Sequence, residues 1–127
     1  MWAAGSGLPE ADLYIDGIGG YNLHGALRGR VHDLAVALNA GSGPVLSLDV
    51  PTGLEVDTGV AAEGAVRASA TMSQVLPKPG LIAPAARPFV GELYLADISA
   101  LPALNARLGL AVPALFSPDT LLRLQLR

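Results

Sequence analysis

Ser47-Leu48-Asp49-Val50-Pro51-Thr52-Gly53 closes an apolar run that begins at Pro44. A run of this kind, ending in an acid and stopped by Pro51 and Gly53, reads as a buried strand that delivers a carboxylate to a loop. Upstream the pattern recurs, with Asp12-Leu13-Tyr14-Ile15-Asp16 leading into Gly17-Ile18-Gly19-Gly20. Between the two lie Leu27, Val31, Leu34 and Leu38 at helical spacing, followed by Gly41. A helix over residues 27–39 is expected there. Strand, glycine-rich loop, helix and strand make a βαβ crossover, so the two strands are parallel and the connection right-handed. In open α/β sheets ligands sit beyond the carboxyl ends of the strands, which is where Asp16 and Asp49 fall.

Outward from this unit the chain reads as follows. Residues 1–10 form a loop. Residues 51–59 form a second loop, with a turn or short helix through about Ala68. Residues 70–76 form a third strand, ended by Pro77-Lys78-Pro79-Gly80. Residues 81–88, with two more prolines, read as irregular, and residues 92–98 as a fourth strand. A short helix is expected over 99–109. Residues 113–127 are expected to be a linker and the start of a helix, with Ser117 capping Leu121, Leu122 and Leu124.

The bulk composition limits the function. With 127 residues the chain is one domain at most. Hydrophobic residues are 51% and charged ones 15%, which suits strands buried on both faces. The net charge of −3 gives no basic footprint for nucleic acid. No cysteine is present, which excludes a disulfide framework, a thiolate metal site and a cysteine nucleophile. No apolar run reaches the length of a membrane span, and residues 1–7 lack the features of a signal peptide, so a cytoplasmic protein is expected. The first strand starts close to the beginning of the chain yet looks internal. That suggests the later portion of a larger domain.

Several residues are candidates for chemistry. The loop from Gly17 to Ala26 opens a helix and can cradle a phosphate, or be a simple tight turn. It is neither a dinucleotide fingerprint, since Asn22 stands where the third glycine belongs, nor a Walker loop. Asp16 and Asp49 can bind a cation or a ribose, serve as an acid/base pair, or cap their own loops. Thr52 brings oxygens suited to a hard cation. His24 lies where it can touch a ligand, and Lys78 where it can meet a phosphate. Glu55 and Asp57 read as a solvated loop face, and His32 as helix surface. No Gly-x-Ser-x-Gly elbow supports a hydrolase.

In order, the chain carries Asp16-Gly-Ile-Gly-Gly-Tyr-Asn-Leu-His-Gly25-Ala-Leu-Arg28-Gly29, then Leu48-Asp49-Val-Pro-Thr-Gly53-Leu-Glu-Val-Asp57-Thr-Gly59, Lys78-Pro-Gly80 and Gly91-Glu-Leu-Tyr-Leu-Ala-Asp97-Ile98. This series resembles the NAD(P)H-hydrate epimerase family, the YjeF N-terminal-type domain, over about residues 11–100. The resemblance implies an α/β fold, a Rossmann-like three-layer sandwich with a mostly parallel sheet, here lacking its N-terminal part. It places a partial domain over residues 1–112 and a linker or tail over 113–127. It implies an isomerase of nicotinamide cofactor repair that interconverts the R and S epimers of hydrated NADH and NADPH. By residue, it implies a potassium ion ligated by Asp16 and Thr52. It implies substrate contacts from Gly20, Tyr21, Asn22, Leu23, His24, Gly25 and Ala26, and from Asp49. The substrate, NADHX or NADPHX, is then the small-molecule partner. A homodimer is compatible with the resemblance, as is fusion to an ADP/ATP-dependent dehydratase; neither nucleic acid nor membrane is implied.

The chemistry is coherent with that assignment. Inverting the carbinol carbon beside the ring nitrogen requires the C–O bond to be broken and remade. The nitrogen lone pair expels the oxygen and leaves an iminium, while Asp49 as catalytic acid/base protonates the leaving hydroxyl and deprotonates the returning water. The sequence departs from the family in having Gly19 where Phe is usual, Asn22 where Gly is usual and Thr52 where Ser is usual. The upstream Asn-Asn-Gly-Gly-Asp-Gly motif is also missing. The alternative is a non-catalytic, nucleotide-binding half-domain that needs a complementary segment.

Overall fold

Four strands run in the order of the sequence, and all lie parallel. They are β1 (Tyr14–Asp16), β2 (Val45–Leu48), β3 (Ala70–Gln74) and β4 (Glu92–Ala96). The computed structural model describes residues 5–99 and 119–125, together with residues 3, 107, 109 and 116. Helix α1 (Gly29–Asn39) makes the first crossover, and the short helices α2 (Pro79–Ile82) and α3 (Arg87–Val90), with a 3-10 turn at Pro84–Ala86, lie between β3 and β4.

This strand order decides where the helices sit. Successive right-handed crossovers that move one strand at a time in the same direction all pass over the same face of the sheet. Register places Asp16, Ser47, Thr71 and Leu93 in one row across the four strands, hence on one face. Both apolar clusters share that face. One joins Tyr14 and Val45 to Ala35 and Leu38 of α1 and to Val66. The other joins Leu93 to Val50, Leu54, Val56, Leu81 and Val90. On the opposite face Leu46, Leu48, Met72 and Tyr94 are half-buried, and Ile15 of the edge strand is 59% exposed. Composition had pointed to strands buried on both faces. Among the described residues the helical layer covers one.

Two segments differ from expectation. Leu121–Leu124 is not a helix start but strand β5, antiparallel to β4, with Leu122 opposite Leu95 and Leu124 opposite Leu93. The free edge of β4 supplies hydrogen bonds that a four-residue helix on its own cannot. Ser117, its expected cap, lies outside the described residues, as does nearly all of the helix expected over 99–109. The stretch read as irregular forms the short helices, because Pro79, Pro84 and Pro88 stand in first turns, where a missing N–H costs nothing. Residues 60–68 take the turn, not the short helix, of their two expected forms, with the Ala65 N–H on the Ala62 carbonyl at 3.1 Å. The Asn39 side chain donates to the Ala65 carbonyl at 2.9 Å and accepts the Arg67 N–H at 2.8 Å, and the Val66 N–H reaches the Thr52 carbonyl at 2.9 Å.

Glu92 joins the last two strands. Its carboxylate accepts the Tyr94 hydroxyl at 2.7 Å and the Arg123 guanidinium at 2.6 Å. The hydrogen bond to Glu92 raises the Tyr94 phenol above its ordinary 10.0, with burial and the Glu92 charge acting the same way. A raised folded-state value means that the contribution is present below the ordinary tyrosine range and is lost as pH rises through the raised one. Ultraviolet titration, with Tyr94→Phe as the blank, is expected to show Tyr94 ionising at lower pH in Glu92→Ala than in the parent chain. Identical curves would remove Glu92 as the cause.

Candidate functional site

The carboxyl ends of β1, β2 and β3 lie at one end of the sheet. After β1 the chain turns on Asp16. This side chain is 1% exposed, and each carboxylate oxygen takes two donors. Oδ1 accepts the Thr52 hydroxyl at 2.6 Å and the Ile18 N–H at 3.3 Å; Oδ2 accepts the Ser47 hydroxyl at 2.8 Å and the Thr52 N–H at 2.9 Å. The Thr52 hydroxyl also accepts the Gly19 N–H at 3.0 Å and lies 3.0 Å from the Gly19 carbonyl oxygen. Asp16 and Thr52, paired in the sequence reading, are therefore joined directly. Asp16 also caps its own loop through the Ile18 N–H. No Lys, Arg or His ion-pairs with this buried carboxylate among the described residues.

After β2 and β3 the chain makes two tight turns of the same rare kind. The Val50 N–H bonds the Leu48 carbonyl at 2.9 Å around Asp49, whose φ is 68°. The Leu76 N–H bonds the Gln74 carbonyl at 2.7 Å around Val75, whose φ is 64°. A three-residue turn with positive φ at its centre is strained. Asp tolerates the left-handed region, but a β-branched Val there is an outlier, and such strain concentrates at functional sites. The turns are held from outside: the Asp49 N–H continues the ladder to the Met72 carbonyl at 2.9 Å, and the Val75 N–H to the Ala96 carbonyl at 3.1 Å.

The two turns bring Asp49 to Lys78. Asp49 Oδ1 accepts the Gln74 N–H at 3.2 Å and the Lys78 ammonium, and both side chains of this ion pair are about four-fifths buried. They line a cavity of about 360 Å³ together with Tyr21, Gln74, Val75, Leu76 and Ile98. A second cavity of about 340 Å³ lies on the other side of the glycine-rich loop, between Leu23, Gly25, Ala26 and the Gly53–Glu63 segment. Its lining residue Glu55 meets the His24 ring at 3.1 Å, a contact more exposed than the Asp49–Lys78 pair. The Asp49 cavity is the better candidate site, because it has the buried charges and the strained strand ends.

The sequence-derived residues thus divide. Asp49 and Tyr21 line the chosen cavity, and Leu23, Gly25 and Ala26 the second. Gly20, Asn22 and His24 belong to the same loop, which is pinned at Gly19 by Thr52 and at His24 by Glu55. Glu55 is therefore not a purely solvated residue. Asp16 and Asp49 share no hydrogen bond and no partner, so the structure does not bring them together as an acid/base pair. The partnership of Lys78 with Asp49 and the strain at Val75 were both missed. The two prolines beside Lys78 were the available signal. A residue before proline is held extended, and Lys78 is, at φ −79° and ψ 143°.

The glycines of two motifs meet behind the site. A Cβ on Gly80 would stand 2.4 Å from the Glu55 carbonyl oxygen, and one on Gly59 would stand 2.5 Å from the Gly80 carbonyl oxygen. Asp57-Thr58-Gly59 and Lys78-Pro79-Gly80 are thus packed backbone to backbone, with the Gly80 N–H on the Val56 carbonyl at 2.7 Å. Gly80→Ala is expected to cost about 1–3 kcal/mol, the range for overpacking a tight contact. Urea unfolding measures it, and a loss under about 0.5 kcal/mol, the scatter of neutral surface changes, would show that the contact yields easily.

Residues 3–80, which include Asp16, Asp49, Thr52 and Lys78, match the family described as YjeF-related protein N-terminus. The chain belongs to that family. Among curated YjeF-related relatives, it is 41% identical to the NAD(P)H-hydrate epimerase of Dehalogenimonas lykanthroporepellens, over 80% of this chain and 40% of that protein. It is 45% identical to the protein of the same name from Truepera radiovictrix, over 76% of this chain and 42% of the other. It is 39% identical to the bifunctional NAD(P)H-hydrate repair enzyme Nnr of Pyrobaculum aerophilum, over 72% of this chain and 18% of the other. The chain spans about two fifths of the length of the two epimerases. In structure it is similar to the yeast protein ynu0, YNL200c, with a TM-score of 0.63 and 24% identity over 87% of this chain and 45% of that one. That likeness shows a shared fold.

Proposed function

We propose that this chain carries the catalytic edge of an NAD(P)H-hydrate epimerase, with Asp49 as the acid/base and NADHX or NADPHX as substrate. One observation carries the reading. Of the two Asp49 oxygens, Oδ1 is occupied by two protein donors, and no donor among the described residues reaches Oδ2. A carboxylate fixed by one oxygen and open at the other, beside a cavity at the strand ends, is placed for proton exchange with a ligand. The reaction is balanced by this single group. A proton taken up at Oδ2 passes to the carbinol hydroxyl; the ring nitrogen pair expels water and forms the iminium. Water then adds at the opposite face and returns its proton to Oδ2.

The names of the relatives support the substrate class, and the loop from Gly20 to Ala26 is the part of the chain suited to the ribose and diphosphate. A potassium ion held by Asp16 and Thr52 would supply a positive charge beneath that loop. Two features favour it. Asp16, Thr52 and the Gly19 carbonyl are hard oxygen donors, and the buried, hydrogen-bonded Asp16 carboxylate has no Lys, Arg or His counter-charge among the described residues, a setting that a nearby cation stabilises. No helix among the described residues is long and apolar enough to cross a membrane.

The test mixes the chain and potassium with the epimers of NADHX and a dehydratase that consumes only the S epimer. The R epimer is expected to disappear faster than it epimerises spontaneously. No acceleration would remove the catalytic reading. Binding without acceleration would leave a nucleotide-binding half-domain in its place.

A further inference from the structure

We propose that Lys78 is a positioning residue for Asp49 and not a ligand for the substrate's phosphates, an inference that rests on the acid/base reading of Asp49. An ammonium has three N–H donors and no acceptor. All three have partners within the chain. Lys78 Nζ donates to Asp49 Oδ1, to the Ser73 hydroxyl at 3.3 Å and to the Gln74 carbonyl at 3.1 Å. The Ser73 hydroxyl, fully buried, lies 3.4 Å from the Leu76 carbonyl oxygen. The ammonium therefore ties the turn after β2 to both sides of the turn after β3, and no donor is left for a phosphate.

The backbone around Lys78 is built to hold it there. Pro77 and Pro79 restrict the chain on either side. Gly80 seats the following helix against Val56, where a side chain does not fit. Four residues that read as a loop are thus a rigid bracket with one charged tip. Its effect on Asp49 is specific. By engaging Oδ1 together with the Gln74 N–H, Lys78 fixes the rotation of the carboxylate about its Cβ–Cγ bond. Oδ2 is left as the exchanging oxygen. Misplacing a catalytic group by about 1 Å costs on the order of 100-fold in rate.

The experiment measures kcat and KM for epimerisation by the parent chain, Lys78→Met, Asp49→Asn and the double variant, with Lys78→Arg as the charge-retaining control. Lys78→Met is expected to lower kcat by on the order of 100-fold while KM stays within about threefold, since the positioning acts on the reacting group alone. In the Asp49→Asn background the same change is expected to have no further effect on kcat, because a residue that acts through Asp49 has nothing left to position. Lys78→Arg is expected to recover part of the loss, since a planar guanidinium keeps the charge but not the three-way geometry. A rise in KM with kcat unchanged would overturn the proposal in favour of phosphate contact, as would a full additional loss in the double variant. A parent chain with no activity would instead sink the epimerase reading, and the role of Lys78 with it. Should Lys78→Met fail to fold, the ratio of Lys78→Arg to parent, with and without Asp49→Asn, decides by the same rule.

Discussion

Asp49→Asn is expected to lower epimerisation by about 100- to 10,000-fold, the range for removing a general acid/base, while the chain keeps its fold. Asparagine is the discriminating substitution because of the backbone. Asp49 has φ 68°, and after glycine Asn is the residue best suited to that region. The Asn side-chain oxygen can still accept the Gln74 N–H and the Lys78 ammonium, so the turns after β2 and β3 keep their hydrogen bonds. What disappears is the ability of Oδ2 to take up and release a proton. Asp49→Ala removes the same ability but adds left-handed strain of about 1–2 kcal/mol. The two variants are therefore expected to match in activity and differ in melting temperature. Near-full activity in Asp49→Asn, measured as the rate of R-epimer loss, would show that Asp49 binds or shapes the site without moving a proton.

Asp16→Ala carries the largest expected cost in stability. The Asp16 carboxylate takes four donors from three segments, the end of β2, the Thr52 turn and the start of the glycine-rich loop. Truncation leaves the Ser47 hydroxyl and the Thr52 N–H buried without acceptors, at about 1–3 kcal/mol each. A total of about 2–6 kcal/mol is expected, a large share of the roughly 5–15 kcal/mol that holds a domain together. The urea midpoint should fall with the slope unchanged. Thr52→Ser keeps the hydroxyl and N–H on Asp16 and is expected to lose less than about 1.5 kcal/mol. Similar losses in the two variants would place the stabilising interaction in the packing of the Thr52 methyl, not in the Asp16 hydrogen bonds.

The parts of this site that were legible in the sequence are those set by local rules. A strand that ends in Asp before Pro51 and Gly53, and a helical stripe from Leu27 to Leu38, identify the βαβ unit and the parallel sheet. The ordered motifs identify the family. The missed features depend on residues far apart in the chain. Lys78 meets Asp49 across 29 positions because β3 lies between them, and nothing near Lys78 names its partner. Val75 lies in the stretch 70–76 that reads as a strand through Leu76. The ladder bond to Ala96 and the turn back to Gln74 override its β-branched preference. Leu121–Leu124 becomes a strand because β4 offers an edge, a fact of tertiary structure. That the helices among the described residues cover one face follows from strand order, which composition does not report.

The most direct test of the central claim is oxygen exchange. If Asp49 drives loss and return of water at the carbinol carbon, each inversion must draw its oxygen from solvent. In heavy-oxygen water the parent chain is expected to label NADHX at the rate at which R and S interconvert, both well above the spontaneous rate. Asp49→Asn should bring the two rates down together. Inversion without label, or label and inversion no faster than in buffer, would contradict the account.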